Sequence, residues 1–249
     1  MAENFLCLND DKTEVLVIGS KSAHQKLNIP FITIGDENIV PSNTAKNIGF
    51  IFDHVMDCKK QVNAICKTAW FHLRSIGKIR QYLDKKATEQ LIHAFVSSKL
   101  DINNALLYGL PDNLLSKLQT IQNAAARLVM KLPKHCHITP TLAELHWLPV
   151  KKRINCKILL IVFKALHQLA PAYIRDLLHL KASPARSLRS TARNMLVVPR
   201  SHSVKYGDRN FRNAAPILWN NLPDDMRLCE DLDIFKRSLK TLMFREAYD

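Results

Sequence analysis

Between Cys58 and Leu83 the apolar residues Val62, Ile65, Ala69, Leu73 and Ile76 recur at spacings of three and four. At about 100° per residue they share one stripe, so the spacing predicts an amphipathic helix whose stripe must be covered by other parts of the chain. On the same wheel Lys60, Lys67, Arg74 and Lys78 fall nearly opposite the stripe, with Phe71 among them. A cationic row of this kind suits phosphate contacts, and a ring exposed inside it can stack on a base. Two readings of Phe71 stay open: that stacking ring, or a side chain packed on a neighbouring helix or strand while the cations are simply solvated.

The texture on either side of this helix differs. Upstream, "TEVLVIG", "PFITIG" and "KNIGFIFD" are β-type runs separated by turn-forming Ser, Asn, Pro and Gly, which predicts a small antiparallel piece. Downstream, helices are expected from about Lys85 to Asn104 and from Asp112 to Leu132, with Asp84 and Asp112 as caps and Pro111 and Pro133 bounding the second. After Pro133, prolines at 140, 149, 171, 184, 199, 216 and 223 divide the chain into shorter segments. The longest expected helix there runs from about Val150 to His167 and buries Ile154, Ile158, Ile161, Val162 and Ala165; a last one covers Leu232 to Glu246. Residues 181 to 213 are Arg-rich and weakly periodic, so loop or extended structure is expected. The fold class predicted is mainly α with a small N-terminal antiparallel β piece, in segments 1–55, 56–132 and 133–249.

Charge narrows the partner. Thirty-six Lys and Arg against 22 Asp and Glu give a net charge of +14, a field that concentrates polyanions. RNA or DNA is therefore the expected partner, with no membrane and no small-molecule substrate. The run "ILLIVF" ends at Lys164, far short of the roughly 20 apolar residues of a spanning helix. The N-terminal "MAENFLCLNDDK" has neither the basic nor the apolar region of a secretory leader, so a cytoplasmic or nuclear location is expected. The six cysteines, at 7, 58, 66, 136, 156 and 229, then read as thiols; no C-x-x-C pair suggests zinc.

Asp10 and Asp11 stand side by side before an apolar run and pose a direct chemical question. A two-metal polymerase holds its ions with carboxylates on a sharp strand-turn-strand, which needs apolar residues on both sides of the pair. Here Lys12, Thr13 and Glu14 follow, so the pair is read as a turn. "HCH" at His135 to His137 offers adjacent residues that seldom converge on one ion, so no metal site is assigned and no cofactor is expected. There is no GxGxxG, P-loop or G-x-S-x-G. Trp147 and Trp219 are read as anchors of a C-terminal core.

"LNDDKTEVLVIGS" resembles the segment after the catalytic aspartate pair in reverse transcriptases of non-LTR retrotransposons, of the jockey-like and chicken-repeat-like long interspersed elements. The resemblance continues in order through "NIGFIFDHVMDCKKQVNAICKTAWFHLRSIGKIRQYL", "IQNAAARLVMKL", "HITPTLAELHWLPVKKRINCKILLIVFKAL", "APAYIRDLL", "RSLRST", "LVVPRS", "NFRNAAPILWNNLP" and "FKRSLKTLMF". It spans the chain from about Phe5 to Phe244, and "HITPTLAELHWLPVKKRI" is its most specific part.

The resemblance implies the end of a palm over 1–55, a helical thumb over 56–132 and a helical, basic C-terminal domain over 133–249, with the fingers and the aspartate motif preceding residue 1. Lys12 matches the family's lysine that protonates the departing pyrophosphate, a role with no reaction to serve without bound metals. Ile48 and Gly49 match the turn of the primer grip; from the residues alone an ordinary hairpin glycine serves equally well.

The resulting expectation is a reverse-transcriptase-like protein without catalysis of its own. It binds RNA or DNA with little sequence preference through Lys60, Lys67, Phe71, Arg74 and Lys78, and then through Lys151, Lys152 and Arg153. The alternative is a subunit or fragment that complements an active RNA-directed DNA polymerase, its palm supplied upstream or by another chain.

Overall fold

The hairpins form where short β-type runs flank turn residues. In a computed structural model describing residues 12–27, 29–35, 37–181, 194–201 and 203–249, a short helix α1 (Lys21–Lys26) is followed by β1 (Ile32–Ile34), β2 (Glu37–Ile39), β3 (Thr44–Asn47) and β4 (Phe50–Asp53). β1 pairs antiparallel with β2, and β3 with β4 in the register Thr44 to Asp53 and Asn47 to Phe50. The rest of the described chain is mainly helical, an α+β class with a small N-terminal antiparallel part.

"TEVLVIG" departs from expectation, because it joins no strand ladder. Its bonds go to different neighbours: the Val15 carbonyl accepts from the Ser42 amide at 2.8 Å, while the Gly19 amide donates to the His54 carbonyl at 2.9 Å. A strand needs one continuous partner, and this segment has none among the described residues. Asp10 and Asp11 lie outside those residues.

The chain forms two compact units, Met1–Ala64 and Ile65–Asp249. In the first, Asp53 fixes the step from β4 into α2 (Lys59–Ile79). Its buried carboxylate accepts from the amides of Val55 at 3.2 Å, Asp57 at 2.9 Å and Cys58 at 2.8 Å. These bonds hold a turn in which Met56 and Cys58 take positive φ, 52° and 57°, a conformation most side chains avoid. Gln61, also buried, accepts from the Ile51 amide at 3.0 Å. Asp53→Asn leaves one of the three amides without an acceptor and is expected to lower stability by about 2 kcal/mol. Hydrogen exchange checks this, with faster exchange at Cys58, whose amide bonds the second carboxylate oxygen.

In the second unit a turn over Arg80–Tyr82 leads from α2 to α3 (Lys85–Ile92) and α4 (Ser98–Asp101). Asp84 caps α3 as expected, accepting from the Ala87 amide at 2.6 Å. The single helix expected over 85–104 is instead interrupted by a π turn at His93–Ser97. There Ser98 Oγ donates back to the Ala94 carbonyl, a local bond that competes with the helix ladder.

Then follow α5 (Asp112–Met130), α6 (Thr139–Glu144), α7 (Val150–Leu166), α8 (Ala172–Arg175), α9 (Phe211–Asn220), α10 (Asp224–Arg227) and α11 (Leu232–Tyr248). The cap of α5 is Pro111, not Asp112; the Pro111 carbonyl takes the Leu114 amide at 2.9 Å and Asp112 occupies the first turn, where its charge suits the helix dipole. Asn210 caps α9, which begins inside the expected loop and runs through Pro216. The core is shared: Phe163 of α7 stacks on Phe235 of α11 at 4.4 Å, and Trp219 of α9 lies 5.8 Å from Phe235. Ile161, expected in the core, is half-buried beside the buried Val162 and Phe163.

Residues 65–132 and 133–249 belong to the same unit because their contacts interlock. Gln122 donates to the Leu148 carbonyl at 2.8 Å, and Gln119 accepts from the Val150 amide at 2.9 Å. Trp147 donates to Glu89 at 3.2 Å and accepts from Tyr248 at its carbonyl. Two polar junctions and the two bonds of Trp147, one from its indole and one to its carbonyl, tie α3, α5, α7 and α11 into one body. No helix among the described residues is long and apolar enough to cross a membrane.

Candidate nucleic-acid interface

α2 carries the strongest cationic feature. All five stripe residues are buried, Val62 and Ala69 completely, while Lys60, Lys67, Arg74 and Lys78 are exposed on the other side. None of these four makes an ion pair with a described residue. Lys59, by contrast, lies 3.3 Å from Asp57. At 1.5 Å per residue, Lys67 to Lys78 spans about 16 Å, roughly five base steps of a nucleic-acid strand.

Phe71 keeps 58% of its surface exposed inside the row. Its ring meets His72 edge-on at 5.4 Å, and His72 in turn lies 5.2 Å from the exposed Phe95. Stacking on a base remains sterically open to it. Cys66, on the flank of α2, is unsuited to thiolate chemistry: burial pushes its thiol pKa up more than Lys117 draws it down.

The second basic group is engaged inside the fold. Arg153 grips Asp101 of α4 with both Nε, at 2.8 Å, and a terminal nitrogen. Lys152 bonds Glu246 of α11. Only Lys151 remains largely in solvent, 3.7 Å from an even more exposed Asp112, a pair worth little. Cations already paired have less to offer a phosphate, so α2 presents the better surface. Beside them, burial holds the Cys156 thiol at about 11.

At the hairpin joining β3 to β4, Ile48 and Gly49 form a two-residue turn with positive φ at both, 46° and 79°, as a type I′ turn requires. Glycine accepts this freely; a β-branched isoleucine does not. Ile48 is also 87% exposed, so neither local geometry nor burial accounts for it. Strain at an exposed apolar tip is a pattern associated with function. Ile48→Asn is expected to stabilise the hairpin by about 1 kcal/mol, since Asn tolerates this conformation, while weakening any contact made by the tip. Thermal unfolding and binding, measured together, check both halves.

Lys12 is exposed near the start of the described chain. Cys136 of "HCH" uses its carbonyl to accept from Arg127 at 3.2 Å, and no group of three His, Cys, Asp or Glu among the described residues is placed to hold a metal ion. Of the expected Arg-rich stretch 181–213, residues 182–193 and 202 lie outside the described residues. The flanks of 182–193 pair, Lys181 donating to the Met195 carbonyl and Val197 to the His179 carbonyl, both at 2.8 Å.

The structure also assembles a group that the sequence did not suggest. Trp70, Arg127, Lys131 and Lys134 line one cavity of about 510 Å³ beside α2 and α5. Only Trp70 has a sequence signal, lying about a quarter-turn from the basic row. No protein-family model, curated protein or solved structure matches the chain.

Proposed function

We propose that this chain is a nucleic-acid-binding protein of reverse-transcriptase origin, acting in the cytoplasm or nucleus. It holds RNA or DNA by its phosphates, with little preference for sequence, and transfers no nucleotide by itself. The observation that carries the proposal is the face of α2, where four cations without an ion pair among the described residues surround an exposed ring while Lys152 and Arg153 are paired. Phosphate contacts position a strand without reading it, because base edges do not enter them. The family resemblance, running in order along the chain, supports the origin.

Binding of several unrelated single-stranded and duplex oligonucleotides tests this. Affinities within about threefold of one another fit a phosphate-directed surface; one sequence preferred by 1,000-fold, a typical specific ratio, contradicts it. A second proposal, a complementing polymerase subunit, is favoured by the strained, exposed Ile48 at the primer-grip-like turn. Primer extension with template and Mg²⁺ separates the two, since templated incorporation by this chain alone defeats the first.

A further inference from the structure

The cavity lined by Trp70, Ala124, Arg127, Leu128, Lys131 and Lys134 combines an indole, aliphatic walls and cations, and no carboxylate among the described residues lines it. Several cations in this unit answer something. Arg80 at its edge donates to the Leu128 and Val129 carbonyls at the end of α5, both at 2.8 Å, and the amides of Lys131 and Leu132 donate to the Arg127 carbonyl. The helix end therefore already has donors, and Lys131 and Lys134 are not needed to satisfy these carbonyls. Arg127 Nε is buried and finds no acceptor among the described residues.

Lys131 adds a conformational oddity. It closes α5 with φ 55°, the position where glycine is favoured, and is itself one of the residues lining the cavity. Trp70 is 36% exposed, whereas Trp147 and Trp219, the two other tryptophans, are buried. An indole open to solvent beside surplus positive charge suits a flat ring carrying a phosphate. About 510 Å³ falls within the usual range for a small-ligand pocket. The cavity beside Gly109, of about 410 Å³, differs: Asp208 lies among its cations, so it has no comparable preference for an anion.

We infer that this cavity receives one unpaired nucleotide, its base against Trp70 and its phosphate between Lys131 and Lys134. The inference rests on the α2 surface as a nucleic-acid interface, from which Trp70 is about a quarter-turn away. A base held in a duplex has both faces covered by its neighbours and cannot enter, so the cavity selects single strands or frayed ends.

Trp70 fluorescence provides the test, with adenosine 5′-monophosphate, a single-stranded oligoadenylate of eight nucleotides, a blunt fully paired duplex and inorganic phosphate as probes. Saturable quenching is expected from the monophosphate and the single strand, with little from the duplex. Tighter binding of the octamer than of the monophosphate identifies a strand as the source; equal binding identifies a free nucleotide. Lys131→Gly and Lys134→Gln should each weaken the monophosphate about tenfold. Lys131→Gly relieves the strained helix end, so its thermal midpoint should hold or rise, separating lost binding from lost folding.

Absent quenching, equal quenching by the duplex, inorganic phosphate competing as strongly as the nucleotide, or unchanged affinity in both variants overturns the inference. If quenching fails while Lys67 and Arg74 still govern polynucleotide affinity, only the cavity is refuted. If the monophosphate quenches but no polymer binds through α2, the cavity stands and the α2 interface falls.

Discussion

Arg80→Met is expected to lower the stability of the C-terminal unit by roughly 3–5 kcal/mol. Arg80 is buried, and its guanidinium reaches three carbonyls: Leu128 and Val129 on α5, and Leu83 at 2.6 Å. Methionine keeps most of the apolar stem, so the change isolates the hydrogen bonds. The two α5 carbonyls lie at a helix end, where no amide of the same helix remains to bond them. For a body of this size, a loss of that magnitude lowers the thermal midpoint by on the order of 10 °C. Arg80→Lys restores the charge without the planar fork, so it should fall between the two. A midpoint within 2 °C of the parent for Arg80→Met, measured by circular dichroism, rejects this account of how α2 is tied to α5.

Reversing Lys67 and Arg74 together to glutamate is expected to weaken polynucleotide binding by roughly 3 kcal/mol at low salt, about 100-fold. Both residues are exposed and lie off the buried stripe. The fold should therefore tolerate the change, with a midpoint shift of no more than a few degrees. The loss should shrink as salt rises, because the ions screen what the side chains contributed. Lys152→Gln makes a useful contrast. It breaks the pair with Glu246 and should affect stability more than binding.

How much of this could be read from the sequence depends on how local the determinants are. The stripe of α2 was legible because five apolar residues repeat at helical spacing, and all five are buried. Its cations were legible for the same reason, since a helix fixes what lies opposite. The π turn at His93–Ser97 was not, because Ile92, Val96 and Leu100, all buried, keep a spacing of four that fits an unbroken helix equally well.

Pairing over long separations was invisible. Asn220 brackets Leu196 through its side-chain amide, accepting and donating at 2.8 Å across 24 residues, and nothing in either stretch announces the other. The same limit hid the partners of Lys152 and Arg153, which stand 94 and 52 residues away. "KKR" read as a phosphate surface from its composition, but its charges are largely answered within the fold. The cavity at Trp70 combines α2, α5 and the loop after it, so no periodicity could reveal it. Ile48 was matched by resemblance, whereas its strain and exposure emerged only with the backbone.

Counterion release tests the central claim most directly. Affinity for one single-stranded oligonucleotide, measured by fluorescence anisotropy from about 50 to 200 mM salt, should fall with a log–log slope of roughly −3, as expected for about four phosphate contacts. In the Lys67→Glu, Arg74→Glu variant the slope should become shallower by at least about one unit while the circular dichroism spectrum is unchanged. A parent slope near zero, or one identical in the folded variant, contradicts an interface built on the cationic face of α2.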